Sequence, residues 1–255
     1  MKNQENPIIG IIGGVGPYAG ADFFRDILDN TVSSCDQDHL STVLLSCPAL
    51  IPDRTDFLLG KESENPASAM FECAKRLYSI GAKYVSVACN TAHSKRIFSP
   101  FMQMVQEELP NLVIVNMLET CALHIKHNIP GVKCIGYLAT KGTYMSKVYH
   151  EYVTEEHGFS LIEPENQGRE RIHEAIYSKE FGIKVHSSPV NPKARGILFY
   201  EALRLMERGA EAIILGCTEL PLAVNPDDFF APILDPGKLT ARRLIDLAAP
   251  EKLRR

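Results

Sequence analysis

The chain of 255 residues is 45% hydrophobic and 23% charged, and its 31 acidic and 27 basic side chains give a formal net charge of -4. That length supports one large domain or two of ordinary size, either able to bury a core without disulfide staples. The charges are interspersed with no basic stripe, which excludes a nucleic-acid footprint, and no apolar run approaches the ~20 residues of a membrane span.

Residues 1–7, MKNQENP, carry no apolar leader segment, so the sequence reads as cytoplasmic. Along the chain, short runs rich in Ile and Val alternate with segments of helical period, the pattern of parallel sheets covered by helices. A strand over Pro7 to Ile12 leads into the loop Gly13-Gly14-Val15-Gly16-Pro17 and a helix from Ala19 to Asn30. Strand Thr42 to Ser46 is followed by the loop Pro52-Asp53-Arg54-Thr55 and a helix from Pro66 to Ile80. Strand Tyr84 to Ala88 ends in Cys89-Asn90-Thr91-Ala92-His93. Further strands are predicted over Leu112 to Val115 and Lys133 to Leu138, with a helix from Lys141 to Glu155. A helix from Lys193 to Arg208 and a strand from Ala212 to Leu215 then lead to Gly216-Cys217-Thr218-Glu219.

The two cysteine segments match one another at an offset of 128 residues. Phe71, Ala74, Arg76, Leu77, Gly81, Ala82 and Cys89 recur as Phe199, Ala202, Arg204, Leu205, Gly209, Ala210 and Cys217. Each copy reads as helix, Gly-Ala turn, buried strand, cysteine. A repeat of this length indicates two related halves and not a solenoid, whose units are far shorter. The fold class is therefore α/β: two similar Rossmann-like domains, pseudo-two-fold related, each a mainly parallel sheet flanked by helices. The first is assigned to 1–117 plus 219–255, the second to 118–218. A ligand site is expected in the cleft where the strand ends of the two halves face each other.

Seven cysteines with no close pair argue for free thiols, and an isolated free cysteine is usually a small core residue. Cys89 and Cys217 stand apart because they occupy equivalent positions at two strand ends. Two opposed thiols can take a proton from one face of a carbon and deliver one to the other, the demand of racemisation without a cofactor. The unperturbed thiol pKa of ~8.5 suits both roles. His93 and Glu219 are candidates for tuning these thiols. Cys89-x3-His93 has no second Cys/His cluster to complete a metal site. The glycine loop departs from the G-x-G-x-x-G dinucleotide fingerprint, and its amides suit a carboxylate better than a pyrophosphate. Arginine binds carboxylates in bidentate fashion, so Arg54 is a candidate for holding a substrate carboxylate, the alternative being a surface arginine that caps or pairs with Asp53.

These motifs, together with Gly182-Ile183-Lys184, resemble the aspartate racemases of the aspartate/glutamate racemase superfamily over the length of the chain. The resemblance implies Cys89 and Cys217 as paired acid and base, no pyridoxal phosphate, no metal, no other cofactor, and a homodimer. It implies substrate contacts at Arg54, Asn90, Thr91 and Lys184, with Arg54 and Lys184 near carboxylates. Gly14, Val15, Thr55 and Thr218 complete the expected substrate-binding set. The implied substrate is an amino acid with a side-chain carboxylate, and Thr-Glu after Cys217 favours aspartate over glutamate. Broad-specificity racemisation, maleate isomerisation, hydantoin racemisation or decarboxylation, and a non-catalytic dicarboxylate-binding protein are the alternatives left open.

Overall fold

A computed structural model describes residues 6–255; residues 1–5, which fall in the segment read as lacking an apolar leader, lie outside the described residues. The first half runs β1 (Ile8–Gly13), α1 (Pro17–Asn30), β2 (Thr42–Ser46), α2 (Arg54–Leu58), α3 (Pro66–Ser79), β3 (Ala82–Val87), α4 (Lys95–Glu108) and β4 (Val113–Ile114). The chain then continues through α5 (Met117–Asn128), β5 (Cys134–Ala139), α6 (Lys141–Ser146), β6 (Ser160–Ile162), α7 (Asn166–Tyr177), α8 (Pro192–Glu207), β7 (Ala212–Gly216), β8 (Ile233–Leu234) and α9 (Pro236–Ala248). Two four-stranded sheets result, ordered β2-β1-β3-β4 and β6-β5-β7-β8, and every pairing is parallel. The identical order is the structural form of the sequence repeat.

Parallel strands covered on both faces must be apolar on both, which is why β7 reads Ala-Ile-Ile-Leu-Gly with all five residues buried. Packing also explains why the repeat retains particular residues. A Cβ on Gly10 would lie 2.8 Å from Val85 Cγ2 and 3.2 Å from Leu77 Cδ1. A Cβ on Gly136 would lie 2.6 Å from Ile213 Cδ1, 3.0 Å from Ala210 Cβ and 3.1 Å from Leu205 Cβ. Leu77 and Leu205 are repeat partners, so in each half the absent side chain lets the helix seat against the central strand. Gly136→Ala should therefore destabilise the fold by about 1–3 kcal/mol through overpacking. Gly196→Ala, at an open position in α8 where a Cβ meets nothing within 4 Å, should instead gain up to about 1 kcal/mol. Urea unfolding of the two variants checks the contrast.

Three features differ from the sequence reading. The segment 219–255 does not belong wholly to the first half, because Ile213 and Ile214 of β7 pair with Ile233 and Leu234 of β8 in the second sheet. The return occurs at α9, whose Ala241, Leu244 and Ile245 enter the core built around β1 and β3. The helix expected over Lys141 to Glu155 is interrupted: Lys147 takes a left-handed conformation at φ 53°, and a short π-helix follows over His150–Glu155. The strand expected over Leu112 to Val115 shortens to two residues.

Candidate active site

In each sheet the strand order reverses between the first strand and its neighbour, β1 with β3 and β5 with β7. Ligands bind at such switch points, beyond the carboxyl ends of the strands. The loops there carry Val15 and Cys89 in the first half and Thr140 and Cys217 in the second. They meet in one small cavity of about 10 Å3, lined from both halves. That is room for about one water.

Hydroxyl and backbone contacts hold the cleft shut. Thr55 Oγ1 lies 3.2 Å from Thr140 Oγ1, and Thr91 Oγ1 lies 2.8 Å from Thr143 Oγ1. Thr218 donates its hydroxyl to the Ala88 carbonyl at 3.1 Å, linking the two cysteine loops directly. Tyr149 donates to Asn90 Oδ1 at 2.7 Å.

On the Cys89 side, Asp53 caps α2 by accepting the Asp56 N–H at 2.9 Å and so sets Arg54, the first helical residue, facing inward. Arg54 is 6% exposed. Its guanidinium donates to the Pro52 carbonyl at 3.0 Å and to the Val15 carbonyl at 2.6 Å, fastening the glycine loop to α2. Burial opposes its charge, but the neighbouring Cys89 and Asp53 outweigh burial and raise its pKa. Burial likewise works against the Asp53 carboxylate; Arg54, the Asp56 N–H, Lys184 and Tyr177 together hold it below the ordinary range.

The Cys217 side carries an ion pair of its own. Glu219 is 3% exposed, accepting the Lys184 ammonium at 2.9 Å on Oε1 and the Cys217 thiol at 3.5 Å on Oε2. Burial, then the Glu219 carboxylate, push the Cys217 thiol well above its usual pKa, while Lys184 pulls it the other way. Burial disfavours the Lys184 charge, and Glu219 and Cys217 more than compensate, raising it. Room for Glu219 depends on Gly16, at φ 146°, where a Cβ would stand 2.6 Å from Oε1. Cys217 therefore has the Glu219 carboxylate as its hydrogen-bond partner with the Lys184 ammonium beyond it, whereas the charged neighbour of Cys89 is the Arg54 guanidinium.

Two donors in this cavity have no hydrogen-bond partner among the described residues although they are buried: Arg54 Nε and Asn90 Nδ2. Orphaned buried donors are uncommon and call for an acceptor, from water or from a ligand.

Of the residues expected from the sequence, Val15, Arg54, Thr55, Cys89, Asn90, Thr91, Lys184, Cys217, Thr218 and Glu219 all line the cavity. Gly14 does not: at φ 76° its Cα is set against the Cys47–Pro48 backbone, where a Cβ would fall 2.5 Å from Cys47 N. It shapes the turn. His93 also lies behind the lining, fully buried. Both of its ring nitrogens are engaged by the backbone, Nδ1 with the Cys89 carbonyl and Nε2 with the Met117 N–H. Among the described residues, a group with metal-ligand spacing, Glu119, Glu156 and His157, lies outside the cavity.

Sequence reasoning missed Thr140 and Tyr177. Thr140 follows β5 as the glycine loop follows β1, so the repeat already marks its position. Tyr177 ends α7, donates to Asp53 Oδ2 at 3.2 Å, and has the Lys184 ammonium 5.1 Å from its ring centroid. No short motif announces it.

Two matched parallel α/β halves, with a polar cleft at their facing switch points, define a two-domain α/β protein with its candidate site between the halves. The chain belongs to the Asp/Glu/Hydantoin racemase family, matched over residues 12–244. An aspartate racemase of Picrophilus torridus is similar at 27% identity and a TM-score of 0.79, covering 95% of this chain and 94% of that one. PH1733 from Pyrococcus horikoshii OT3, described as an aspartate racemase homologue, has 24% identity and a TM-score of 0.72, covering 95% and 99%. The broad specificity amino-acid racemase RacX of Bacillus subtilis (strain 168) is 23% identical over 249 residues, 93% of this chain and 96% of that protein. The resemblance seen in the motifs is thus a family membership. No helix among the described residues is long and apolar enough to cross a membrane.

Proposed function

We propose that this racemase-family isomerase interconverts L- and D-aspartate without a cofactor, with Cys89 and Cys217 as the proton-transfer groups. The observation that carries this reading is that both thiols, one from each half, line one cavity together with the charged groups Arg54, Lys184 and Glu219. In one direction a thiolate takes the α-hydrogen as a proton and an S–H bond forms. The electron pair left on carbon then captures the proton of the opposite thiol. One C–H and one S–H bond break and one of each forms, so no oxidant or reductant is needed. Negative charge that develops on the α-carboxylate during transfer is met by Arg54 Nε and Asn90 Nδ2, donors that are already desolvated and have no partner among the described residues.

Aspartate is favoured by the cations Arg54 and Lys184 and by the similarity to the Picrophilus torridus aspartate racemase. One observation favours a broader range instead. Lys184 is already bound to Glu219, and Arg54 to two carbonyls, so neither cation is reserved for a side-chain carboxylate. Chiral analysis of products from aspartate and asparagine separates the two readings, because the side chains match in shape and differ in charge. A dedicated carboxylate subsite should give aspartate a kcat/KM at least ~10²-fold higher. Equal values would establish the broad reading, and no inversion of either amino acid, with no α-deuterium uptake in deuterated water, would overturn aspartate racemisation.

A further inference from the structure

We propose that His93 is a positioning residue for Cys89: a neutral imidazole that bridges the Cys89 carbonyl to the Met117 N–H and holds the thiol's direction without exchanging a proton. This deepens the two-thiol reading and rests on it for its kinetic consequence. The partners fix the tautomer. His93 Nε2 lies 3.3 Å from the backbone nitrogen of Met117, which can only donate, so Nε2 carries the lone pair. Nδ1, 2.9 Å from the Cys89 carbonyl oxygen, then carries the hydrogen and donates it. The ring is fully buried and packs against Phe98 in a tilted arrangement with centroids 4.7 Å apart. Burial pushes its pKa down to about 4, so it is neutral at working pH.

Both ends of this bridge matter. Met117 opens α5, and Asn116 accepts the Leu118 and Glu119 N–H groups with its side chain. His93 takes the Met117 N–H, the donor that Asn116 leaves open, so the helix start and the cysteine loop are tied through one ring. The second half solves the same problem differently. Position 221, the repeat partner of 93, is Pro221, and the Cys217 carbonyl is held by the Leu220 N–H at 3.0 Å. Only Cys89 depends on a side chain from its own loop for this restraint.

His93→Gln and His93→Leu test the proposal. Glutamine offers one donor and one acceptor and can span the same two groups; leucine offers neither. His93→Gln should stay within about tenfold of the parent kcat, with an unchanged pH–rate profile, because a neutral bridge contributes no titration. His93→Leu should lose about 10²-fold in kcat with KM little changed, as expected for a misdirected reacting group. Alkylation of Cys89 by iodoacetamide, read by peptide mass spectrometry, should change in rate in His93→Leu and be restored in His93→Gln. This readout needs no turnover, so it stands even if aspartate is not the substrate, an outcome that would sink only the racemase assignment. Unaltered kcat and alkylation in His93→Leu would reduce His93 to a helix cap and overturn the proposal. So would a His93→Gln protein as impaired as His93→Leu, or one that lost a limb of the pH profile. Should His93→Leu fail to fold, His93→Gln alone decides.

Discussion

Cys217→Ala and Cys89→Ala should each lose racemisation by at least ~10²–10⁴-fold, the range expected for removing a positioned acid or base, while each retains a different partial reaction. With one thiol left, only the enantiomer whose α-hydrogen points at that sulfur can be deprotonated. Its proton exchanges with solvent and returns to the same face. In deuterated water, Cys217→Ala should therefore label one enantiomer of aspartate at Cα with retention, and Cys89→Ala the other. Mass spectrometry after chiral separation reads this directly. A chain in which both variants label the same enantiomer, or in which either racemises near the parent rate, does not use opposed thiols. The two partial reactions should differ in pH dependence, since Cys217 alone faces the Glu219 carboxylate.

How much of this was legible beforehand depends on the kind of signal involved. The 128-residue repeat carried the architecture because repeat residues such as Leu77 and Leu205 pack against equivalent glycines in equivalent strands. Cys89 and Cys217 emerged from the same repeat, and their shared cavity follows from the two switch points facing one another. Local sequence could not place β8 in the second sheet, because a two-residue strand has no period and is defined only by its partner β7. Nor could it see Lys147 break a helix whose residues otherwise favour continuing one. The close approach of Gly14 to the Cys47–Pro48 backbone is a tertiary contact that the glycine loop alone does not reveal. His93 sat in a motif open to several chemistries, and only the identity of its two partners, a carbonyl and an amide, separates a bridge from a relay. Tyr177 was hidden because its role depends on Asp53 and Lys184, which only tertiary structure brings beside it.

The electrostatics around Cys217 make a prediction whose sign can be checked with two substitutions. A thiol that must donate a proton loses activity as pH rises through its pKa, so that pKa sets an alkaline limb in the rate profile. Burial and the Glu219 carboxylate both raise it, and Lys184 lowers it. Glu219→Gln removes a raising charge, so the alkaline limb should move to lower pH. Lys184→Met removes the lowering charge, so the limb should move to higher pH. Glu219→Gln also leaves the Lys184 ammonium without its partner, 2.9 Å away in the parent, and kcat/KM should fall by about 10²-fold or more. In Lys184→Met the KM for aspartate should rise as well if the ammonium moves from Glu219 to a substrate carboxylate on binding. Because the equilibrium constant of a racemisation is unity, kcat/KM must fall equally for the two enantiomers in every variant. The direction of the two pH shifts is therefore the diagnostic. Shifts of the same sign, or none, would mean that Glu219 and Lys184 do not set the proton affinity of Cys217 during turnover.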